Sequence, residues 1–224
     1  MINNLHFFGC SFTDVTISVS GYEFNVYRKV IEDKLKINCI NHSGSGKSNE
    51  HIINDVWVSS KDILNKNETL FIIQTSFLYR LGLYSDIFEQ WISLTKRDLS
   101  AADDEIEYAY IKFYNDWLKY FYNKKNQIVE FKKNIELLTA YLNENKINFL
   151  LIGIDEDLNE IENEFFEKNN FLICDGYKSF YEYAVINKFR ICDVHSANGV
   201  EDLHFNQSGQ NYLAEQIINY IQKF

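Results

Sequence analysis

The chain has 224 residues, 46% of them hydrophobic and 24% charged, which is enough to bury the core of one α/β domain and short for two. Its 32 acidic against 22 basic residues give a formal net charge of −10, which argues against a nucleic-acid backbone or an anionic bilayer as partner unless a local basic patch overrides it. No such patch is visible: the densest basic pairs, Lys124-Lys125 and Lys132-Lys133, fall in one helical stretch and read as its solvated face.

The opening residues MINNLHFFGCSF carry neither a basic stretch nor a long apolar run, so a signal peptide or membrane anchor is not expected and a cytoplasmic location is. Short apolar runs then recur: LHFFG (5–9), INCIN (37–41), TLFIIQT (69–75), INFLLIG (147–153) and FLIC (171–174). The intervals 23–35, 49–64, 126–144, 157–168 and 208–222 carry the i, i+3, i+4 recurrence of amphipathic helices, the last with Asn206 or Ser208 as N-cap. Five strands alternating with helices predict a parallel sheet covered on both faces. Four widely spaced cysteines, Cys10, Cys39, Cys174 and Cys192, contain no CxxC and read as reduced apolar residues.

The interval from Phe77 to Lys146 is too long for one crossover, and YAYIKFYNDWLKYFY (108–122) inside it predicts a helical insertion. Tyr110, Phe113, Tyr114, Trp117 and Phe121 are expected on one helical face, as core, as a homo-oligomer interface, or as a platform for sugar rings or acyl chains.

The chemistry-bearing residues lie at the two ends of the chain. Gly9-Cys10-Ser11-Phe12-Thr13 directly follows the first strand, so Ser11 is expected at the carboxyl end of the sheet, where open α/β folds bind ligands. Far away, EDLHFNQSGQNYLAEQI places His204 just before the last helix, with Glu201 and Asp202 beside it. A nucleophile, a base and an orienting carboxylate are what acyl transfer requires.

On these residues the chain resembles the SGNH (GDSL-type) hydrolases. Gly9-Cys10-Ser11 matches the family's G-D-S block with Cys in place of Asp, Asn41 to Gly46 fits its N-x-x-x-x-G block, and Glu201-Asp202-Leu203-His204 fits the closing D-x-x-H with Glu at the strict position. The resemblance spans residues 5 to 222, without most of 77–146. It implies a flavodoxin-like three-layer sandwich with strand order 2-1-3-4-5, and a serine esterase that needs no cofactor or metal and acts on an O-acetylated carbohydrate or another small acyl ester. It also implies that Ser11 attacks, His204 carries the proton, Glu201 or Asp202 orients the imidazole, and Gly46 donates its N–H to the oxyanion.

Two features pull against this reading. The stretch NHSGSGKSNEHI (41–52) spells most of a P-loop, but Asn41 stands where the first P-loop Gly belongs, and only Asp155 at the end of INFLLIGID supports a nucleotide site. The family's third block, G-x-N-D, is absent, since FIIQTSFLYR offers Gln74, Thr75 and Ser76 after the third strand. Thr75, Ser76 and Asn49 are the candidate replacements for the lost oxyanion donor, and Arg80 could hold an anionic substrate or be an ordinary surface residue. His6, His42 and His51 read as structural, while His195 with Asp193, Glu201 and His204 offers metal-ligand types without a decisive spacing. An O-acyltransferase acting on a glycan and a non-catalytic carbohydrate-binding or interaction protein are the alternative functions.

Overall fold

The computed structural model describes residues 2–13, 17–19, 22–86, 89–94, 105–195 and 204–224. Its main sheet has four parallel strands in the order β4-β1-β5-β8, with β1 at Asn4–Phe8, β4 at Asn38–Asn41, β5 at Thr69–Gln74 and β8 at Asn148–Ile152. All six residues of β5 are buried, as expected of a central strand with helices on both faces.

Alternate strand residues feed two separate cores, the period of two that a pleated strand imposes. Leu5, Phe7, Leu70, Ile72, Leu150 and Ile152 pack against α1 (Tyr27–Leu35), α6 (Phe180–Ile186) and α8 (Gln207–Ile221). Phe8, Phe71, Ile73, Phe149 and Leu151 face the other way, onto α2 (Asn49–Ser60), α4 (Lys124–Glu144) and α5 (Asn163–Lys168). The result is the expected three-layer sandwich.

Three expectations are corrected. The fifth strand does not form: Phe171 makes one isolated parallel bridge with Leu151, after which Asp175 and Gly176, both at positive φ, turn the chain back so that Cys174 pairs with Tyr177. The helix expected from residue 23 starts at Tyr27, because Tyr22–Phe24 (β3) pairs antiparallel with Ile17–Val19 (β2). The helix expected over 157–168 is split, since buried Ile161 is extended and separates a 3-10 turn at Glu156–Glu160 from α5.

The interval 77–146 is also only partly a helical insertion. It opens with an antiparallel hairpin of β6 (Leu81–Ser85) and β7 (Gln90–Leu94), continues with α3 (Glu105–Tyr120), and ends in α4, which is the sandwich's own crossover helix. The aromatic face divides: Tyr114 is fully buried and donates its hydroxyl to the Tyr79 carbonyl, whereas Phe113 and Phe121 are 49% and 74% exposed. Only Ile111 and Tyr114 are buried in α3, a narrow stripe that leaves Phe113, about 100° away from Tyr114, on the exposed flank. The last short helix among the described residues is α7 (Ile191–His195). No helix among the described residues is long and apolar enough to cross a membrane.

His6 and His42 are structural, as expected. His6 Nδ1 lies 3.0 Å from His42 Nε2, and the His42 ring stacks on Phe8 at 4.6 Å. Burial, then the neighbouring His42, depresses the His6 pKa to about 4, and burial also lowers His42 despite the opposing pull of Asp55. A folded-state value below the unfolded one, about 6.5, means that the unfolded chain takes up the proton first as pH falls. The stabilisation is therefore complete above pH 6.5 and is lost toward pH 4 at no more than about 1.4 kcal/mol per pH unit for this group. In urea titrations the stability difference between pH 7 and pH 5 should be smaller by about 1 kcal/mol in His6→Phe than in the parent. An unchanged difference would show that His6 does not titrate in this window.

Candidate active site

The site is built where β1, β4 and β5 end together. After Phe8 the chain turns tightly, with the Thr13 N–H donating to the Cys10 carbonyl at 2.9 Å, and Ser11 sits inside that turn. Only glycine fits at position 9: an added Cβ would stand 2.5 Å from Thr13 Oγ1 and 3.1 Å from Gln74 Cβ. Under the turn, buried Thr13 donates to Gln74 Oε1 at 2.7 Å and meets the Tyr27 hydroxyl at 2.7 Å, while Gln74 Nε2 donates to Cys10 Sγ at 3.2 Å. Burial raises the Tyr27 pKa, so its hydroxyl stays protonated as a donor. Gln74 is thus the post that ties the Ser11 turn to β5. Its signal in the sequence is a long polar side chain closing an otherwise apolar strand.

His204 comes to this turn from the other end of the chain. Its Nε2 lies 2.8 Å from Ser11 Oγ, and the Phe12 ring packs beside its imidazole at 4.5 Å. The chain is pinned at the histidine and just after it: the Ile191 N–H donates to the His204 carbonyl at 2.8 Å, and the Asn206 N–H to the Phe189 carbonyl at 2.6 Å. Asn206 also caps α8 by accepting from the Gly209 N–H, and its amide donates to the carbonyls of Lys188 and Arg190. The expected cap therefore also helps to fix the position of His204, two residues earlier.

Glu201 and Asp202 lie outside the described residues. Asp193 is held by Arg190 in a two-pronged ion pair, with Nη2 to Oδ1 at 2.8 Å and Nε to Oδ2 at 3.1 Å, so its carboxylate is already engaged. That guanidinium keeps the Asp193 carboxyl below the usual carboxylate range.

The second block reaches Ser11 by continuing the β1–β4 pairing beyond the strands. The His42 N–H donates to the Phe7 carbonyl at 2.8 Å and the Gly44 N–H to the Gly9 carbonyl at 3.2 Å. Gly46, two residues on, has φ +78 with nothing within 4 Å of where a Cβ would be, so the loop turns there through the left-handed region with open space beside it.

Lys47 does not project like a phosphate-binding lysine. Its Nζ turns back to the His42 carbonyl at 2.7 Å and to Asp55 Oδ2 at 2.5 Å. Ser48 is spent as the N-cap of α2, accepting from the His51 N–H, and its own N–H donates to Ser93 Oγ. Asp155, the other half of the nucleotide reading, accepts from the N–H groups of Leu78 and Asp157 and braces the start of the insertion. Burial raises its pKa, against the pull of those two hydrogen bonds.

The candidate replacements for the third block have separate fates. Thr75 is buried and donates its hydroxyl to the Ile152 carbonyl at 3.2 Å. Asn49 exchanges two hydrogen bonds with the Ser76 backbone, Oδ1 accepting at 2.7 Å and Nδ2 donating at 3.2 Å. Ser76 is fully buried, and its hydroxyl accepts from Arg80 Nη1 at 3.0 Å. Phe8 pairs with Ile73 in the last rung of the β1–β5 ladder, so the segment that follows Gln74 leaves the sheet at the same edge as the Ser11 turn. The segments that follow β1, β4 and β5 thus leave the sheet at the same edge, with His204 bonded to Ser11 and Arg80 bonded to Ser76.

A serine in hydrogen-bond contact with a histidine at the carboxyl edge of a parallel sheet is the arrangement of α/β serine hydrolases. Among solved structures the chain is similar to a lipolytic protein of the G-D-S-L family from Veillonella parvula DSM 2008, with 12% identity over 99% of each chain and a TM-score of 0.53. It is similar as well to the psychrotrophic esterase EstA from Pseudoalteromonas sp., in a form inhibited by monoethylphosphonate, with 12% identity over 99% of this chain and 97% of that one and a TM-score of 0.53. A lipase/acylhydrolase from Enterococcus faecalis gives 14% identity over 99% and 96% of the two chains, with a TM-score of 0.50. No protein-family model matches the sequence, and no curated protein does. The fold is that of the G-D-S-L, or SGNH, lipolytic proteins.

Proposed function

We propose that this protein is a serine esterase that cleaves a small acyl ester, such as an O-acetylated carbohydrate, at Ser11. The observation that carries the reading is the 2.8 Å contact between Ser11 Oγ and His204 Nε2. Both side chains come from pinned loops, so the nucleophile and its base are preorganised within hydrogen-bond reach.

In this mechanism Ser11 Oγ attacks the ester carbonyl while His204 Nε2 takes its proton. The carbonyl π electrons move onto oxygen, which is met by the N–H groups of Ser11 and Gly46. Collapse of the tetrahedral intermediate breaks the ester C–O bond, and His204 returns the proton to the departing alcohol. Water then repeats the sequence on the acyl-serine, giving up its proton to His204 and releasing the acid with Ser11 restored. Glu201 or Asp202 orients the imidazole through its other nitrogen. The missing third-block amide removes one donor from the oxyanion site, and such a loss elsewhere costs about 2.7–4 kcal/mol of transition-state stabilisation.

A fluorophosphonate probe tests the proposal directly, because it reacts only with a serine made nucleophilic by its surroundings. Labelling followed by peptide mapping should place the adduct on Ser11 alone. Absence of labelling at Ser11, or labelling that persists unchanged in His204→Ala, would overturn the reading.

A further inference from the structure

Arg80 differs from the other described arginines. Arg28 faces Glu32 at 4.0 Å and Arg190 clasps Asp193, but among the described residues no carboxylate lies within ion-pair distance of Arg80. Its Nη1 donates to two neutral acceptors, Ser76 Oγ at 3.0 Å and the Lys47 carbonyl at 3.3 Å. Its Nε is buried with no hydrogen-bond partner among the described residues, and the guanidinium lies over the Phe77 ring at 5.2 Å. These contacts fix the cation in place without neutralising it.

Each anchor belongs to the candidate site. Ser76 follows β5 at the sheet edge where the Ser11 turn follows β1, Lys47 directly follows Gly46, and Phe77 meets edge-on the Phe12 ring that packs on His204. Taking a guanidinium partly out of water without a counter-ion is costly, and an unpaired buried N–H adds to that cost. The chain carries 32 acidic side chains, and among the described ones Asp155 bonds instead to the Leu78 N–H and none comes within ion-pair distance of Arg80. A rigid planar guanidinium one aromatic layer from the Phe12–His204 pair is suited to a carboxylate or another planar anion arriving from outside.

We infer that Arg80 binds an anionic group of the substrate, so that the ester cleaved at Ser11 carries a carboxylate or similar anion close to the scissile bond. The inference rests on the esterase reading and narrows its substrate class. It also separates the chemistry of this site from its surroundings, because a protein of net charge −10 otherwise repels anionic esters.

Two matched pairs of esters test it: 4-nitrophenyl acetate against 4-nitrophenyl hemisuccinate for an anion on the acyl side, and phenyl acetate against 4-acetoxybenzoate for one on the alcohol side. The parent protein should prefer the anionic member of at least one pair. In Arg80→Gln the anionic-to-neutral ratio of kcat/KM should fall by at least about tenfold, mainly through KM, with Arg80→Lys intermediate. A ratio that stays constant while both rates fall would mean that Arg80 serves the reacting carbonyl or the fold, and would overturn the inference. Thermal melting supplies a readout that needs no turnover. Succinate should raise the Tm of the parent above a sodium chloride control of equal ionic strength, and should not do so in Arg80→Gln. An Arg80-dependent shift in a protein that cleaves none of the four esters would sustain the anion site and defeat the esterase. No shift, with no preference in either pair, would remove the anion site whether or not Ser11-dependent hydrolysis occurs.

Discussion

Ser11→Ala should lower the turnover of short-chain aryl esters to the limit of detection while leaving the protein folded. Removing the nucleophile from a triad of this kind costs about 10⁶ in turnover, and removing the base costs about as much, because the two act as one unit. The double variant Ser11→Ala/His204→Ala should therefore be no slower than either single one. Ser11 contributes its contact with His204 and no core packing, so the fold loses about one side-chain hydrogen bond, worth on the order of 1 kcal/mol, and the Tm should move by about 2–4 °C at most. Turnover that survives in Ser11→Ala would sink the assignment. A collapse of the melting transition would instead point to a structural role for the turn.

The second large effect concerns the carboxylate behind His204. Glu201 and Asp202 are adjacent, and neighbours in an irregular segment usually point in different directions, so only one of them should support the imidazole. Spacing favours Glu201, which precedes His204 by three residues as in the closing block of the family that the sequence resembles. Its longer side chain brings one extra methylene to the same task. In a serine protease whose triad aspartate is replaced by its amide, the imidazole is left unsupported in the wrong tautomer, at a cost of about 10⁴ in turnover. The loss is smaller where water fills in. Glu201→Gln should thus lower turnover by at least about tenfold, taking a modest part of that loss, and Asp202→Asn by much less. The reverse order would shift the motif by one residue. If both variants kept full activity, the imidazole would be oriented by some other group.

Much of the sandwich was legible in the sequence because its signals are local. Four of the five apolar runs form strands within a residue of the expected bounds, since each is a short apolar run rich in β-branched or aromatic side chains. Asn206 was legible as a cap for the same reason: its oxygen serves an N–H three residues away. The misses are also physical. FLIC has the composition of a strand, but the Asp175-Gly176 turn allows it a single bridge to β8. The hairpin of β6 and β7 was hidden because its strands are only half buried and lack a strong alternation.

By itself the sequence determined where the four strands of the main sheet run, that this sheet is parallel and covered on both faces, and that a serine after the first strand and a histidine before the last helix are available for acyl transfer. Only the tertiary structure decided that the two side chains, 193 residues apart, come within 2.8 Å. It also decided that Lys47 is tied back to Asp55, and that Arg80 has no acidic partner among the described residues. The physical reason is the same in each case. Composition and periodicity fix what each segment can bury and how it curls, but which distant side chains meet depends on strand order and register, and those are set by the packing of the whole sheet between its two layers of helices.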